Sequence, residues 1–325
     1  MREMGSNITI DGVCELLKQA ETILLFAHRR PDGDALGSVS ALKKGLEDLG
    51  KTVYAVCCDS VTERLLFLTE SEILPSLLPA DLGEYLPVAV DVASVEMLGS
   101  AIDLFKGKTT LRIDHHATGS DFADDNYVRP SASATGEIVF DLLEALDAWS
   151  LPAAERVYAA IASDTGCFKY SNVTPETHRK AASLLEMGVK PDEINRRLFD
   201  NRSRGETEAF RMALDALRYC DGGRVAVINF TNEMKKKGQL TEEDLSDISS
   251  IPRTVRGVSV GAVIKQESAD PRLFKVSMRS DRSTDVSAIC ARMGGGGHFS
   301  AAGVTIEADS PEAAEKRVIE EILHG

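Results

Sequence analysis

Along the first half of the chain, short apolar runs alternate with helix-like segments, and each run stops at an acid or an imidazole. Residues 23–28 read Ile-Leu-Leu-Phe-Ala-His, a stretch with no polar face, as expected of a strand buried on both sides in a parallel sheet. Val39, Leu42, Leu46 and Leu49 then recur at helical spacing as far as Gly50, a residue that suits a helix C-cap. The same grammar predicts strands over 52–58, over 87–93 with Asp91 closing the apolar part, and over 109–113 with Asp114 next. Strands and helices in this alternation predict an α/β fold, a doubly wound and mostly parallel sheet whose ligands bind beyond the carboxyl ends of the strands.

Helices are expected over 135–149 and 152–162, then a turn at Ser163-Asp164-Thr165-Gly166, then a helix capped by Thr174 with Pro175 in its first turn. The stretch 188–208 is rich in Arg, Asn, Asp and Glu and poor in apolar residues, and reads as a partly helical connector. Beyond it come strands over 224–230, 258–265 and 274–279, a helix, a glycine run, another strand and a terminal helix. The expected organisation is therefore a domain at 1–187, a connector at 188–208 and a smaller α+β domain at 209–325.

The acids and imidazoles at the strand ends carry the chemistry. His28, Asp32 and Asp34 surround one turn, and Gly33 permits a tight backbone that aims both carboxylates into one site. Asp32-Gly33-Asp34 alone would be an ordinary turn with a helix cap, and Asp91 alone a cap or a loop acid. Asp114-His115-His116 is a stronger signal. Consecutive residues of a strand point to opposite sides, so one histidine is expected to face the site and the other a neighbouring group or a substrate. Together His28, Asp32, Asp34, Asp91, His115 and Asp164 form a hard donor set of oxygens with a minority of imidazole. Such a set suits Mn²⁺ or Mg²⁺, and the absence of Cys argues against structural zinc. Two such ions a few Å apart activate water and stabilise both the attacking and leaving oxygens in phosphoester hydrolysis.

Composition limits the partners. The formal charge of −14 weighs against long duplex nucleic acid, whose affinity comes from Lys and Arg on phosphates; a short phosphorylated ligand held by metal ions and a few arginines is compatible. The six cysteines show neither CxxC spacing nor the density of a secreted scaffold, which predicts reduced thiols and a cytoplasmic setting. No apolar run approaches a bilayer span and no export signal is evident, so no membrane association is expected.

The His-x-x-Pro-Asp-Gly-Asp turn at 28–34, the isolated Asp91, Asp114-His115-His116 and Asp164 resemble in order and context the four motifs of the DHH phosphoesterase superfamily. Arg279-Ser280 with Gly295-Gly296-Gly297-His298-Phe299-Ser300-Ala301-Ala302-Gly303 is similar to the signature of the associated DHHA1 domain. The match covers nearly the whole chain and is nearest the compact nanoRNase and pAp phosphatase branch. The resemblance implies that His28, Asp32 and Asp91 hold one manganese, that Asp34, Asp91, His115 and Asp164 hold the other, and that Asp91 is shared. It places His116 beside the substrate phosphate and Asp114 behind the histidines, making Asp91, Asp114 and His116 the expected catalytic group. Arg279, Ser280, Gly295, Gly296, Gly297 and His298 become the expected phosphate clamp, since glycine lets backbone amides approach an anion. The implied activity is Mn²⁺-dependent cleavage of very short RNA to 5′-mononucleotides, or of 3′-phosphoadenosine 5′-phosphate to AMP and phosphate. The alternatives are a cyclic or linear di-adenosine monophosphate phosphodiesterase with the same metals, and a noncatalytic nucleotide sensor. The resemblance also allows a homodimer, although no self-complementary patch is legible.

Overall fold

In the computed structural model, which describes residues 6–117, 119–281 and 283–324 but not the side chains of Ser6 and His298, the chain divides into two units, Met1–Asn201 and Arg202–Gly325. The first is built on a six-stranded sheet: β1 (Ser6–Asn7), β2 (Thr22–Phe26), β3 (Thr52–Val56), β4 (Leu86–Val90), β5 (Leu111–Asp114) and β6 (Asp125–Val128). Their order is β1-β6-β5-β4-β2-β3, and every neighbouring pair is parallel. Alternate residues of a strand face opposite ways, and here both faces are dry. Ile23 and Leu25 of β2 and Val88 and Val90 of β4 enter one core cluster, while Leu24, Phe26 and Ala89 enter another. Each fully buried Leu or Ile contributes about 1.5–3 kcal/mol, so these strands are apolar from end to end because both sides need it.

The chain leaves β2 toward β3 on one side and returns to place β4 on the other. This reversal opens a crevice at the carboxyl ends of β2 and β4, where doubly wound sheets bind ligands. The Gly33–Asp48 helix follows β2 and packs against the Leu151–Asp164 helix. A Cβ on Gly37 would lie 2.7 Å from the Arg156 carbonyl oxygen, and one on Gly33 would lie 2.4 Å from Ser163 Oγ. Gly33 is therefore required for helix contact, not for turn flexibility, since it is the first residue of its helix and Asp32 is the cap. Asp164 likewise closes the second helix where a turn was expected.

The second unit is a sheet of β7 (Leu217–Cys220), β8 (Val225–Phe230), β9 (Val260–Gln266), β10 (Leu273–Ser280), β11 (Gly296–His298) and β12 (Ala301–Glu307). The order is β11-β12-β10-β9-β8-β7, with only β8 and β9 parallel. Its helices Val286–Arg292 and Pro311–Leu323 bury Ile289, Val318 and Ile322 against one face. Ala209 and Met212 of the Arg204–Asp215 helix cover the other face with Leu245 and Ile248. Among the described residues no helix is long and apolar enough to cross a membrane, and all six cysteines are free thiols.

Candidate metal centre

Each expected ligand arrives from a strand end or a helix end. Phe26 closes β2, and His28 follows two residues later. Asp32 caps the next helix, its Oδ1 accepting from the amides of Asp34 and Ala35 at 3.0 Å each. Asp91 follows β4 with φ of 61°, a left-handed conformation that Asp tolerates better than most side chains and that often marks functional sites. Asp114 ends β5, and His115 and His116 come next.

These groups converge on two small gaps. His28 Nε2 lies 3.8 Å from Asp32 Oδ1 and 3.7 Å from Asp91 Oδ2. His115 Nε2 lies 3.8 Å from Asp34 Oδ2, 3.7 Å from Asp91 Oδ1 and 3.7 Å from Asp164 Oδ2. Donors sharing an ion about 2.1 Å away stand roughly 3–4 Å apart, so each gap fits one small divalent cation. The residue groups His28-Asp32-Asp91 and Asp34-His115-Asp164 could each hold a metal ion. Asp91 turns one oxygen to each side, and all six expected ligands are brought together.

The imidazoles are aimed by their other nitrogens. His28 Nδ1 lies 2.8 Å from the Arg29 carbonyl oxygen and His115 Nδ1 lies 3.2 Å from that of Ala132. Those acceptors suit a proton on Nδ1, so that a neutral ring would present the Nε2 lone pair to the gap. His116 differs: its Nδ1 bonds Asp114 Oδ1 at 2.7 Å. Asp91, His115 and His116 form a third group of potential metal donors, but the Asp114 bond already occupies that nitrogen. The two neighbouring rings sit edge to face with centroids 4.8 Å apart, not on opposite sides as strand alternation predicts, because β5 ends at Asp114 and the alternation ends with it.

The acids repel one another in a dry place. Burial first, then the charges of Asp91, Asp164 and Asp32, raise Asp34 well above the ordinary carboxylate range. Burial and Asp32 raise Asp91. Burial, with Asp32 and Asp91, lifts Asp164 to about 6 despite His115. Burial alone would depress His28, but the Asp32 carboxylate 3.8 Å away and the charge of Asp91 raise it to about 9. Carboxylates crowded this way are what a cation neutralises.

Several supporting residues escaped the sequence reading. The amides of Thr135 and Gly136 donate to Asp34 at 2.7 and 3.0 Å, as does Ser38 Oγ at 3.0 Å. Asn172 Nδ2 donates to the carbonyl oxygens of Ser133 and Asp164. Arg112, 1% exposed, pairs with Asp114 and donates to the carbonyl oxygens of Val92 and Ser120. Only Arg112 carried a signal in the sequence, as a lone charge between Leu111 and Ile113 in an apolar run.

In the second unit Arg279 and Ser280 end β10. Ser280 Oγ is buried and makes no hydrogen bond among the described residues. Much of the glycine run serves the fold. Gly294, with φ of 90°, ends its helix with amide bonds from Gly294 to Ala291 and from Gly295 to Cys290, a Schellman arrangement. A Cβ on Gly295 or Gly297 would strike the β12 backbone, whereas Gly296 faces open space. The backbone of His298 lies in β11; its side chain is outside what the structure describes.

Residues 22–163 match the DHH family, N-terminal domain, and residues 222–324 match the DHHA1 domain. A bifunctional oligoribonuclease and PAP phosphatase of Thermus thermophilus is 33% identical over 318 residues, covering 95% of this chain and 92% of that protein. A probable bifunctional oligoribonuclease and PAP phosphatase of Streptococcus mutans is 29% identical, covering 88% of this chain and 90% of that one. The crystal structure of an exopolyphosphatase-related protein from Bacteroides fragilis superposes with a TM-score of 0.86 at 24% identity, over 96% of this chain and 95% of that one, which speaks for the fold. Sharing both domains in order, and aligned with the Thermus protein along nearly its whole length, the chain belongs to the DHH–DHHA1 phosphoesterases and is a phosphoester hydrolase.

Proposed function

We propose that this chain is a cytoplasmic enzyme that binds two Mn²⁺, cleaves very short oligoribonucleotides to 5′-mononucleotides and converts 3′-phosphoadenosine 5′-phosphate to AMP and phosphate. The observation that carries this reading is the pair of donor clusters meeting at Asp91, whose two oxygens face His28 and His115 at 3.7 Å each. The likeness to the Thermus relative supports the substrate class. In the proposed arrangement His28, Asp32 and Asp91 hold one ion, and Asp34, Asp91, His115 and Asp164 the other. Bound cations supply an activated water and take up charge on the phosphoryl oxygens. The chain's own residues do the rest. In the metal-free protein the hydrogen bond that His116 donates to Asp114 outweighs burial and raises the ring to about 8; in this reading His116, beside the acidic cluster, pairs with the substrate phosphate. Asp114, held low against its burial by His116 and Arg112, keeps that ring oriented. We assign substrate contacts in the second unit to Arg279, Ser280, His298 and the backbone of 295–297, on the resemblance of these residues to the DHHA1 signature.

Purified protein with Mn²⁺, given di- to pentanucleotide RNA, 3′-phosphoadenosine 5′-phosphate, cyclic di-adenosine monophosphate and its linear form, tests the reading. Release of 5′-mononucleotides and AMP from the first two is expected, with slower turnover of the cyclic compound. Preference for the cyclic compound would overturn the substrate assignment, and nucleotide binding without Mn²⁺-stimulated turnover would overturn the enzymatic one.

The metal-free site also predicts a pH dependence. Asp164 moves up from 3.8 to about 6, His116 from 6.5 to about 8 and His28 from 6.5 to about 9. Each folded-state value lies above its unfolded one, so each contributes stability below the lower value that is lost as pH rises through the higher one. In EDTA the melting temperature should therefore fall as pH rises through this range. The increase on adding Mn²⁺ should grow over the same range, because ligands must shed protons to bind. Differential scanning calorimetry at pH 5.5, 7 and 8.5 reads both; a metal-induced shift that shrinks with pH would contradict the linkage.

A further inference from the structure

Thr135 is fully buried and opens the Thr135–Leu146 helix. Its amide donates to Asp34 Oδ2 at 2.7 Å and its hydroxyl donates to Asp91 Oδ1 at 2.8 Å. One residue thus grips both acids that face His115, including the one that also faces His28, although the acids lie in separate strand–helix connections. The consequence for Asp91 is specific. The outer torsion of an Asp side chain is soft and roughly two-fold, so its oxygens are free to rotate unless something holds them. With Oδ1 tied to Thr135, Oδ1 faces His115 and Oδ2 faces His28, each at 3.7 Å. That orientation lets a single carboxylate serve both gaps.

We infer that Thr135 is a positioning residue whose hydroxyl sets the bridging orientation of Asp91 and so couples the two cation sites. The inference rests on the two-cation reading above. Without the hydroxyl, Asp91 turns away from at least one gap, that gap keeps too few ligands, and one ion binds weakly while the other stays. Partners behind metal ligands typically change affinity about 10–100-fold when removed.

Thr135→Val keeps the side chain's shape and loses the donor, Thr135→Ala loses the donor without bulk, and Thr135→Ser keeps the donor. Calorimetric Mn²⁺ titration of the wild type should show two ions per chain, with the magnetic-resonance signature of a coupled Mn²⁺ pair. The Val and Ala variants should retain one tight ion, weaken the other about 10–100-fold and show the hyperfine-split signal of an isolated ion at matched loading; the Ser variant should resemble the wild type. Circular dichroism melts of the metal-free variants identify any that fail to fold, in which case the other hydroxyl-free variant decides. Two tight, coupled ions in a folded hydroxyl-free variant would overturn the inference, as would a Ser variant as impaired as Val. A wild type that binds fewer than two ions defeats the parent reading instead.

Discussion

Asp91→Asn should abolish turnover and lower bound Mn²⁺ from two ions to no more than one, while the protein remains folded. An amide offers one neutral oxygen and an NH₂ group that cannot ligate, so the two gaps no longer share a ligand. Loss of one ion's charge stabilisation amounts to several kcal/mol, a fall in kcat of about 10³-fold or more. The metal-free variant should be at least as stable as the wild type. Burial and the nearby Asp32 already disfavour the ionised carboxylate, and a neutral isostere removes that repulsion, the usual conflict between stability and function at an active site. Steady-state kinetics, metal analysis and thermal melts read the three effects separately; retained activity would refute the shared-ligand role.

Arg112→Met should produce the largest loss of stability. The guanidinium is 1% exposed and its partner Asp114 is fully buried, so deletion leaves a core carboxylate with His116 and the amides of His115 and His116 on one oxygen and nothing on the other. Breaking such a pair from one side costs about 3–5 kcal/mol, a fall in melting temperature of about 10 °C for a unit of this size. The bonds from Arg112 to Val92 and Ser120 also tie together the segments that follow Asp91 and His116, so activity should drop in the protein that does fold. Adding Asp114→Asn to Arg112→Met should recover much of the stability, because the buried carboxylate that lost its guanidinium is gone, but not the activity, because His116 loses its orienting carboxylate. A melting temperature within about 2 °C of wild type for the single variant would contradict the account.

Much of the candidate metal centre was legible in the sequence because His28, Asp91, Asp114 and His115 follow a local rule. Apolar strands announced β2, β4 and β5, and an acid or imidazole directly after a parallel strand lies at the sheet's binding edge. Thr174 and Pro175 also cap their helix as expected, with Thr177 completing the box. What local rules cannot carry is contact across the chain. Thr135 reaches Asp34 and Asp91 over 101 and 44 residues, and nothing in Ala134-Thr135-Gly136 announces that its helix points at carboxylates. Gly33 was read as a flexible turn because its obstacle, Ser163, belongs to another helix. The Thr-Gly that follows Asp164 suggests a turn there, yet the helix runs through Asp164 and ends just after it, with bonds from Thr165 and Cys167 back to Ile161 and Ala162. The edge strand β1 has two residues, too few for any periodicity, and β7 alternates poorly because it lies exposed at its sheet's rim. Glycines 295, 296 and 297 suggest an anion cradle, but Gly295, with Gly294 before it, also meets the needs of a helix end and Gly297 those of a close hairpin.

Anomalous diffraction from crystals grown with Mn²⁺ tests the central claim most directly. Two peaks are predicted per chain, about 3.5–4 Å apart, one among His28, Asp32 and Asp91 and the other among Asp34, Asp91, His115 and Asp164, with one Asp91 oxygen toward each. A single peak, or two peaks that Asp91 does not join, would contradict it.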